Sequence, residues 1–428
     1  MSGKLNLQKM LVPLTNMGLR GVGLVGRFAL SFYLVKFLSL SETGQFGLIV
    51  GVAGVLPALF GFGMNYFLSR EIIGVDIEDA FARIRDKMVV MASLLGVTLL
   101  GALAVNTVHP VNMLGNLWLA GLIIVLEVIA FDLHIVLISL RKPLLANFLL
   151  IVRSAAWVFP FIGVSFLWPQ YRNLDTLLVF WLASLVLSFL VLWLFTRTWP
   201  WLKTLSRRID SQWIGHTIKA AGLVYLSDLG LVVYSYFDRF FIAGHLGLAA
   251  TGVYTFYWTM ANALLVLITA AVVQVSLPGL VDGFKAGEDA WRQRFGRMLV
   301  KALAGSLAMA VAMYGAVTFL MPYIGNPELS RHPLIFPLML LAIVVKIVAD
   351  MTHYGLYSRK KDRTLALVNI SGIVVNLILT FALVTLFGLI GVGVSMLGTA
   401  AYLLMSRGWF LYRDVTSGRP AIIAEERT

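Results

Sequence analysis

Runs of about twenty apolar residues, separated by short polar stretches, organise this chain from end to end, and that length is what a helix needs to cross a bilayer core. The runs fall near 11–38, 45–68, 88–108, 117–140, 144–168 and 176–196. A second set falls near 220–244, 252–276, 298–321, 334–357, 364–387 and 389–412, the last two divided only by FGLIGVG. The pattern predicts an all-α polytopic membrane protein of about twelve transmembrane helices, six plus six.

The second set repeats the first. Residues 38–46, LSLSETGQF, match 246–254, LGLAATGVY, at an offset of 208, so that Leu38, Leu40, Thr43 and Gly44 recur as Leu246, Leu248, Thr251 and Gly252. EDAF at 78–81 recurs as EDAW at 288–291, with Lys87-Met88 answering Arg297-Met298 at an offset of 210. Asp132 and Arg141-Lys142 recur as Asp350 and Arg359-Lys360 at an offset of 218. Three markers in one order, each at a loop or just inside one, predict two pseudo-symmetric lobes around a central cavity. The expected boundaries are 1–196 and 220–412, with an amphipathic linker at 197–219 and a polar tail at 413–428. Repeats of this kind place a transported substrate at their interface.

Composition agrees. The chain is 59% hydrophobic and 13% charged, with mean hydropathy +0.87, against about 25% charged residues in soluble domains. There is no Cys, which excludes disulfides, thiolate metal sites and a Cys nucleophile. MSGKLNLQKM leads into a Gly-rich apolar stretch without a small-residue cleavage site, and reads as an uncleaved first helix rather than a signal peptide.

The net charge of +13 invites a nucleic-acid reading, and the distribution of the charges argues against it. Of 34 Lys and Arg, 26 lie near the ends of the chain or in one alternate set of loops, and only Arg172 and Arg331 in the other set. The remaining six, Arg20, Arg27, Lys36, Arg153, Arg239 and Lys346, lie within spans. That bias predicts both termini in the cytoplasm. The linker RTWPWLKTLSRRIDSQWIGHTIK reads as a basic, Trp-bearing helix on the inner face.

Ionisable groups at bilayer depth cost about 2.5–3.5 kcal/mol on insertion scales, so they must face a partner or water. Arg20 and Arg27 lie seven residues apart on one face of the first span, and Arg153 lies in the fifth. Their guanidinium forks suit phosphate or carboxylate, which makes them candidate substrate-binding cations. For Arg153 the plainer alternative is a side chain that snorkels or ties down a carbonyl. The repeat maps Arg20 onto Asp228, opposite charges at similar depth, a candidate gate latch or else two unrelated residues lining water. Glu127 and His134, seven apart, are a candidate proton carrier or a satisfied polar contact. Asp132 and Asp350 are repeat-equivalent coupling or gating candidates, with a structural role as the alternative. Lys346 and Asp350, four apart with His353 on the same face, read most simply as an internal ion pair. Asp238-Arg239 reads as an interfacial pair beside Tyr234 and Tyr236. Gly21-Val22-Gly23-Leu24-Val25-Gly26 fits a dinucleotide fingerprint only in spelling, because it sits in a membrane helix without a preceding strand.

Three segments carry a family resemblance. FYLVKFLSLSETGQFGLIVGVAGVL resembles the first-to-second helix junction of bacterial polysaccharide transporters, YFDRFFIAGHLGLAATGVYTF their seventh-to-eighth junction, and FGLIGVGVSMLGTAAYLL their final hairpin. The chain thus resembles the O-antigen-type lipid-linked oligosaccharide flippases of the multidrug/oligosaccharidyl-lipid/polysaccharide exporter superfamily. The resemblance implies a V-shaped pair of lobes in the bacterial inner membrane. It implies translocation of an undecaprenyl-diphosphate-linked repeat unit for O-antigen, capsule or exopolysaccharide synthesis, with H⁺ or Na⁺ as the coupling ion and no other cofactor. A polysaccharide polymerase and a chain-length regulator are implied partners, besides membrane lipids. The family's helix-one cationic cavity positions fall on Arg20 and Arg27. Lipid II flippases of the superfamily usually carry two further helices.

The alternatives differ in what they require. A multidrug or cation antiporter needs uncompensated carboxylates within its spans. A membrane polymerase or ligase needs a sizeable outer loop, and the outer loops here run to about 4 to 13 residues, so a transporter rather than an enzyme is expected. A non-transporting scaffold for glycan assembly is a further alternative.

Overall fold

The structure is a computed structural model that describes residues 21–73, 75–108 and 114–417. The described residues contain no strand, and the described part of each of the twelve apolar runs is mostly helical, the second interrupted at Phe62-Gly63. Among the described residues, ten helical segments are long and apolar enough to cross a membrane. The protein is an all-α, multi-pass membrane protein. It divides into two compact units, Met1–Ala243 with Gly247–Gly252, and Gly244–Leu246 with Val253–Thr428.

The first unit opens with α1 at 21–37, which contains the glycine-rich stretch, followed by α2 (Leu40–Gly61). Ser39 and Glu42 start α2 by capping each other, Glu42 N to Ser39 Oγ at 3.1 Å and Ser39 N to Glu42 Oε2 at 3.0 Å. The second oxygen of Glu42 accepts from Leu174 N at 3.0 Å, so one carboxylate serves two helix starts. α2 stops where Phe62 (φ 45°) and Gly63 (φ 67°) both turn left-handed. The chain then resumes as α3 (Met64–Glu71), α4 (Ile77–Val108), α5 (Leu117–Ser139), α6 (Pro143–Ile151), α7 (Val158–Leu167) and α8 (Leu174–Thr196). A π-type turn at Val152–Ala156 joins α6 to α7.

The linker is not one surface helix. Only α9 (Trp201–Leu205) is helical before Asp210 caps a new helix, so 211–219 forms the first turns of α10 (Ser211–Leu246). The segment before α10 is clasped to the first turns of α4. Arg85 donates to the carbonyls of Thr204, Arg207 (2.5 Å) and Arg208 (3.1 Å). Arg83 pairs with Asp210 at 2.8 Å and Arg207 with Asp79 at 2.7 Å. The Phe81 ring meets Trp199 and Trp201 edge-on at 5.3 and 4.7 Å. The Trp213 amide, then Arg83, hold the Asp210 carboxyl below its ordinary pKa.

α10 runs along α2. Tyr225 Oη donates to Leu59 O at 3.1 Å, one of the last-turn carbonyls that the end of α2 leaves over. The Tyr225 ring lies 5.2 Å from Phe62. Gly54 leaves room for the Tyr236 ring, and buried Arg239 donates to Gly47 O at 3.1 Å. These contacts put the seventh apolar run within the first unit, whereas the repeat assigned it to the second lobe.

The strongest sequence marker is a helix crossing. A methyl group on Gly44 would strike the Leu248 carbonyl, and one on Gly252 would strike the Leu40 carbonyl. The second helix involved is α11 (Leu248–Ile268), and its segment at 248–252 belongs to the first unit. The two contacts are the same contact read in both directions, because Leu40 and Gly44 are the repeat partners of Leu248 and Gly252.

In the second unit, a π-type turn at Thr269–Val273 leads from α11 to α12 (Gln274–Ala286), α13 (Glu288–Ile324), α14 (Pro327–Ser330), α15 (Ile335–Ser358), α16 (Asp362–Phe387) and α17 (Leu389–Thr416). α15 is the central element, packed by α12, α13, α16 and α17. The EDAW marker starts α13 much as EDAF starts α4. Glu288 pairs with Arg359 at 2.7 Å, and buried Trp291 donates to Ser358 Oγ at 2.9 Å beneath the same guanidinium.

The third marker is shifted by one residue. α5 and α15 end in the same bond pattern: Arg141 N to Ile138 O and Lys142 N to Leu137 O, then Lys360 N to Tyr357 O and Lys361 N to Leu356 O. The left-handed residues are Arg141 (φ 58°) and Lys360 (φ 57°). Arg141 therefore corresponds to Lys360, an offset of 219 where the sequence match had 218. In that register Asp132 answers Met351. Asp350 is displaced by one position, about 100° around its helix.

Candidate functional site

Among the described residues, three clusters of ionisable side chains lie within the spans. The first joins α3, α4 and α5. Asp132 of α5 pairs with Lys87 of α4 at 2.5 Å, and Asn65 of α3 completes the group, its Nδ2 donating to Asp132 Oδ1 at 2.9 Å and its Oδ1 accepting from Lys87. The side chains of Lys87 and Asp132 are only 1% and 0% exposed. The break at Phe62-Gly63 starts α3 in the direction that brings Asn65 here. Lys87 was expected as a loop cation. α4 begins at Ile77 rather than near 88, which puts Lys87 almost three turns inside the helix.

The second cluster joins α5 to α8 through the π-type turn. Arg153, in that turn, pairs with Glu127, whose other oxygen accepts from Trp181 Nε1 at 2.9 Å. The Trp181 ring stacks on Trp157 at 5.8 Å. A π-type turn adds a residue and rotates the next part of the helix, and Arg153 lies within it. Its partner is a carboxylate, neither a carbonyl nor the lipid interface. His134 does not reach Glu127 for a partner: its Nδ1 lies 3.1 Å from Ala146 O. A carbonyl only accepts, so Nδ1 carries the proton.

The third cluster lies in the second unit, on α15, α16 and α17. Asp350 Oδ2 accepts from Lys346 at 3.0 Å and Oδ1 from Arg407 at 3.1 Å. Arg407 also donates to Ala349 O at 3.2 Å and to Asn369 Oδ1 at 2.8 Å. The Lys346–Asp350 pair is the one that the sequence spacing indicated. Arg407 was counted with the charges near the C-terminal end of the chain, and instead lies inside α17 with its side chain 7% exposed.

Of the other expected residues, Arg27 is exposed on α1, next to Gly26, which packs near Ala155 and Phe159. Asp228 lies on α10. Arg20 and the end of the tail, 418–428, lie outside the described residues. The structure brings Glu127 together with Arg153, and Lys346 with Asp350, and adds Asn65, Lys87, Trp181, Asn369 and Arg407. A signal for Arg407 was present in the sequence, because LLMSRGWFLY keeps it within apolar residues.

The fold so built is that of transporters of the MOP superfamily. The chain is similar to an inward-facing multidrug resistance MATE family transporter of that superfamily, with 14% identity, 92% of this chain and 95% of that chain covered, and a TM-score of 0.69. It is similar to the lipid II flippase MurJ in an inward closed conformation, with 12% identity, 93% and 87% covered, and a TM-score of 0.68. A third similar structure is the MATE multidrug transporter DinF-BH, with 16% identity, 95% and 97% covered, and a TM-score of 0.59. No family model matches the chain. No curated protein sequence matches it significantly.

Proposed function

We propose that the protein is a flippase that moves an undecaprenyl-diphosphate-linked oligosaccharide from the cytoplasmic to the periplasmic leaflet of a bacterial inner membrane by alternating access. It is not an enzyme in this reading, and both chain ends and the 197–219 segment face the cytoplasm. The observation that carries the reading is the state of the intramembrane carboxylates: Glu127, Asp132 and Asp350 each already face a cation. None of these three is left to meet a cation, and the cations of the first span suit a diphosphate headgroup. Arg27, and Arg20 one face-repeat before it, neutralise the phosphates as they leave water, while the polyprenyl tail stays in lipid. Arg20 and Asp228 latch the transporter, and Glu127, Asp132, Asp350 and Lys346 set its conformational balance. A proton or Na⁺ moving inward resets it. The MurJ likeness supports a lipid-linked substrate, and a polymerase and chain-length regulator are the expected partners.

A cation or multidrug antiporter is the second reading, favoured by the likeness to MATE transporters. It needs a carboxylate free to meet a cation, and the three carboxylates above are engaged. The test is surface-polysaccharide export in cells carrying Arg27→Ala. Export should fall by about tenfold or more, the worth of one charge-assisted contact, with membrane levels of the protein unchanged and Arg27→Lys intermediate. Wild-type export by Arg27→Ala would remove the cationic face from the mechanism.

A further inference from the structure

The connection between α7 and α8 is short and firmly held. A single 3₁₀ turn, Pro169–Tyr171, joins the two helices. Trp168 N donates to Val164 O at 2.9 Å, Tyr171 N to Trp168 O at 3.0 Å and Arg172 N to Pro169 O at 3.1 Å. The Arg172 guanidinium donates to two carbonyls left over by the end of α7, Ser165 O at 2.9 Å and Phe166 O at 3.2 Å. It lies 4.7 Å from the Phe37 ring of α1. Asn173 caps α8 by accepting from Thr176 N at 2.8 Å, and its amide donates back to Gln170 O at 3.1 Å.

This frame supports an open groove of about 620 Å³, a size usual for small-molecule sites. Trp168, Gln170 and Tyr171 line it from the connection, and Asp175, Thr176 and Phe180 from α8. The Phe180 ring is braced edge-on by Phe161 at 6.0 Å. The polar tips of the lining are uncommitted. Among the described residues, no hydrogen bond or ion pair engages the Trp168 indole N–H, the Gln170 amide, the Tyr171 hydroxyl, the Asp175 carboxylate or the Thr176 hydroxyl. Asp175 is the one charged residue of the lining, since Arg172 is spent on the carbonyls of α7.

Rigid aromatic faces beside free hydrogen-bonding groups match a pyranose ring. The C–H face of a sugar is apolar and slightly positive, and suits the negative face of an indole or phenol. Its rim of hydroxyls both donates and accepts, and suits a carboxylate, an amide and a hydroxyl. An acyl chain would desolvate Asp175 and Gln170 without replacing their bonds to water. A phosphate would meet the Asp175 carboxylate with like charge. A quaternary cation would be drawn to the rings, but would leave the amide and hydroxyls unused, and one exposed carboxylate adds little in an open groove.

We propose that this groove of the first unit is a saccharide site that takes a neutral pyranose unit. Trp168 and Tyr171 form its stacking platform, and Asp175, Gln170 and Thr176 are the partners of the sugar hydroxyls. In the orientation proposed above, the groove receives sugar on the periplasmic side. It uses neither Arg20 nor Arg27. Asp175 makes the site selective, because an acidic sugar brings a second carboxylate to it.

The experiment is a saturation-transfer NMR titration of the full chain in phosphatidylglycerol nanodiscs, whose headgroup carries neither a sugar nor a quaternary amine. The probes are the methyl glycosides of glucose, galactose, N-acetylglucosamine and glucuronic acid, and tetramethylammonium. Saturable binding of at least one neutral glycoside is expected, with the glucuronide weaker. Trp168→Ala and Tyr171→Ala should each weaken it about tenfold, whereas Trp168→Phe and Tyr171→Phe keep most of it. Trp168 and Tyr171 are 49% and 43% exposed, so these substitutions leave the packed interior as it is. Asp175→Asn should narrow the gap between the neutral sugar and the glucuronide. No saturable binding of any neutral glycoside, binding indifferent to both alanine variants, or a preference for tetramethylammonium would overturn the assignment. The probes carry no diphosphate, so such a failure leaves the export test of Arg27 standing, and a failure of that test leaves the saccharide site standing.

Discussion

Lys87→Met should unfold the first unit far more readily than its place in an apolar span suggests. Lys87 and Asp132 are 2.5 Å apart with 1% and 0% of their side chains exposed. Removing the ammonium leaves Asp132 with a single neutral donor, Asn65 Nδ2. Breaking a buried ion pair by deleting one partner costs about 3–5 kcal/mol, because the other charge stays buried. Deleting both, as in Lys87→Met/Asp132→Leu, should recover most of that loss, since an apolar replacement of similar volume is close to neutral. The double-mutant cycle therefore predicts a coupling of about 2 kcal/mol or more, read from equilibrium unfolding of the purified protein in detergent. The same variants decide what Asp132 does. If the pair is structural, the double variant regains polysaccharide export along with stability. If Asp132 carries a coupling proton, the double variant is stable and inactive. A Lys87→Met cost below about 1 kcal/mol, or a double variant no better than the worse single one, would refute the reasoning from burial.

Two further outcomes rest on local geometry. Gly44→Ala and Gly252→Ala each drive a methyl group into the carbonyl of the partner helix. Each should cost about 1–3 kcal/mol in unfolding free energy, and the two costs should be similar, since the contacts are reciprocal; a silent substitution at either glycine would mean that the two helices can move apart at no cost. Asp210 titrates below its ordinary pKa, so its contribution to clasping the linker is complete above the ordinary carboxylate pKa of about 4 and is lost as pH falls through the depressed value. Amide exchange over 204–213, corrected for intrinsic rates, should lose protection on acidification below about pH 4, and Asp210→Asn should reduce that dependence, other carboxylates such as Asp79 still holding the segment.

Much of the fold was legible because membrane helices announce themselves by length and apolarity. The described parts of the twelve runs are mostly helical, with a break at Phe62-Gly63 in the second, since no other single-segment backbone arrangement satisfies its own hydrogen bonds in lipid. The charges inside the helices were harder to place. Lys87 read as a loop cation because α4 outruns the apolar window used to find it by eleven residues at its start, whereas Arg407 was counted with the C-terminal end although it lies inside the 389–412 run. Arg153 and Glu127 are 26 residues apart, a separation at which helical periodicity says nothing, and a local π-type turn sets the direction of the arginine. The match of Asp132 to Asp350 misled for a related reason. An Arg-Lys dipeptide aligns by letter, whereas the two helix ends align by their left-handed residue, one position away. Asn65 and Asn369 carried no signal at all, because an asparagine becomes a partner only when a charge is brought to it.

The crossing of α2 with the start of α11 has a consequence for how the two halves of the chain could diverge. Its geometry is isologous, as in a twofold homodimer, with each copy presenting to the other the patch that it receives. In such a contact a substitution in one copy meets the unchanged original in the other, and so must fit a surface that did not change with it. Leucine carbonyls facing bare glycines leave no space for that on either side. Drift can proceed freely where a helix faces lipid, and is arrested where the duplicated segments touch each other. The stretch through Leu40, Thr43 and Gly44 and its counterpart through Leu248, Thr251 and Gly252 is then the part of the repeat least free to change, kept legible by a collision that both must avoid.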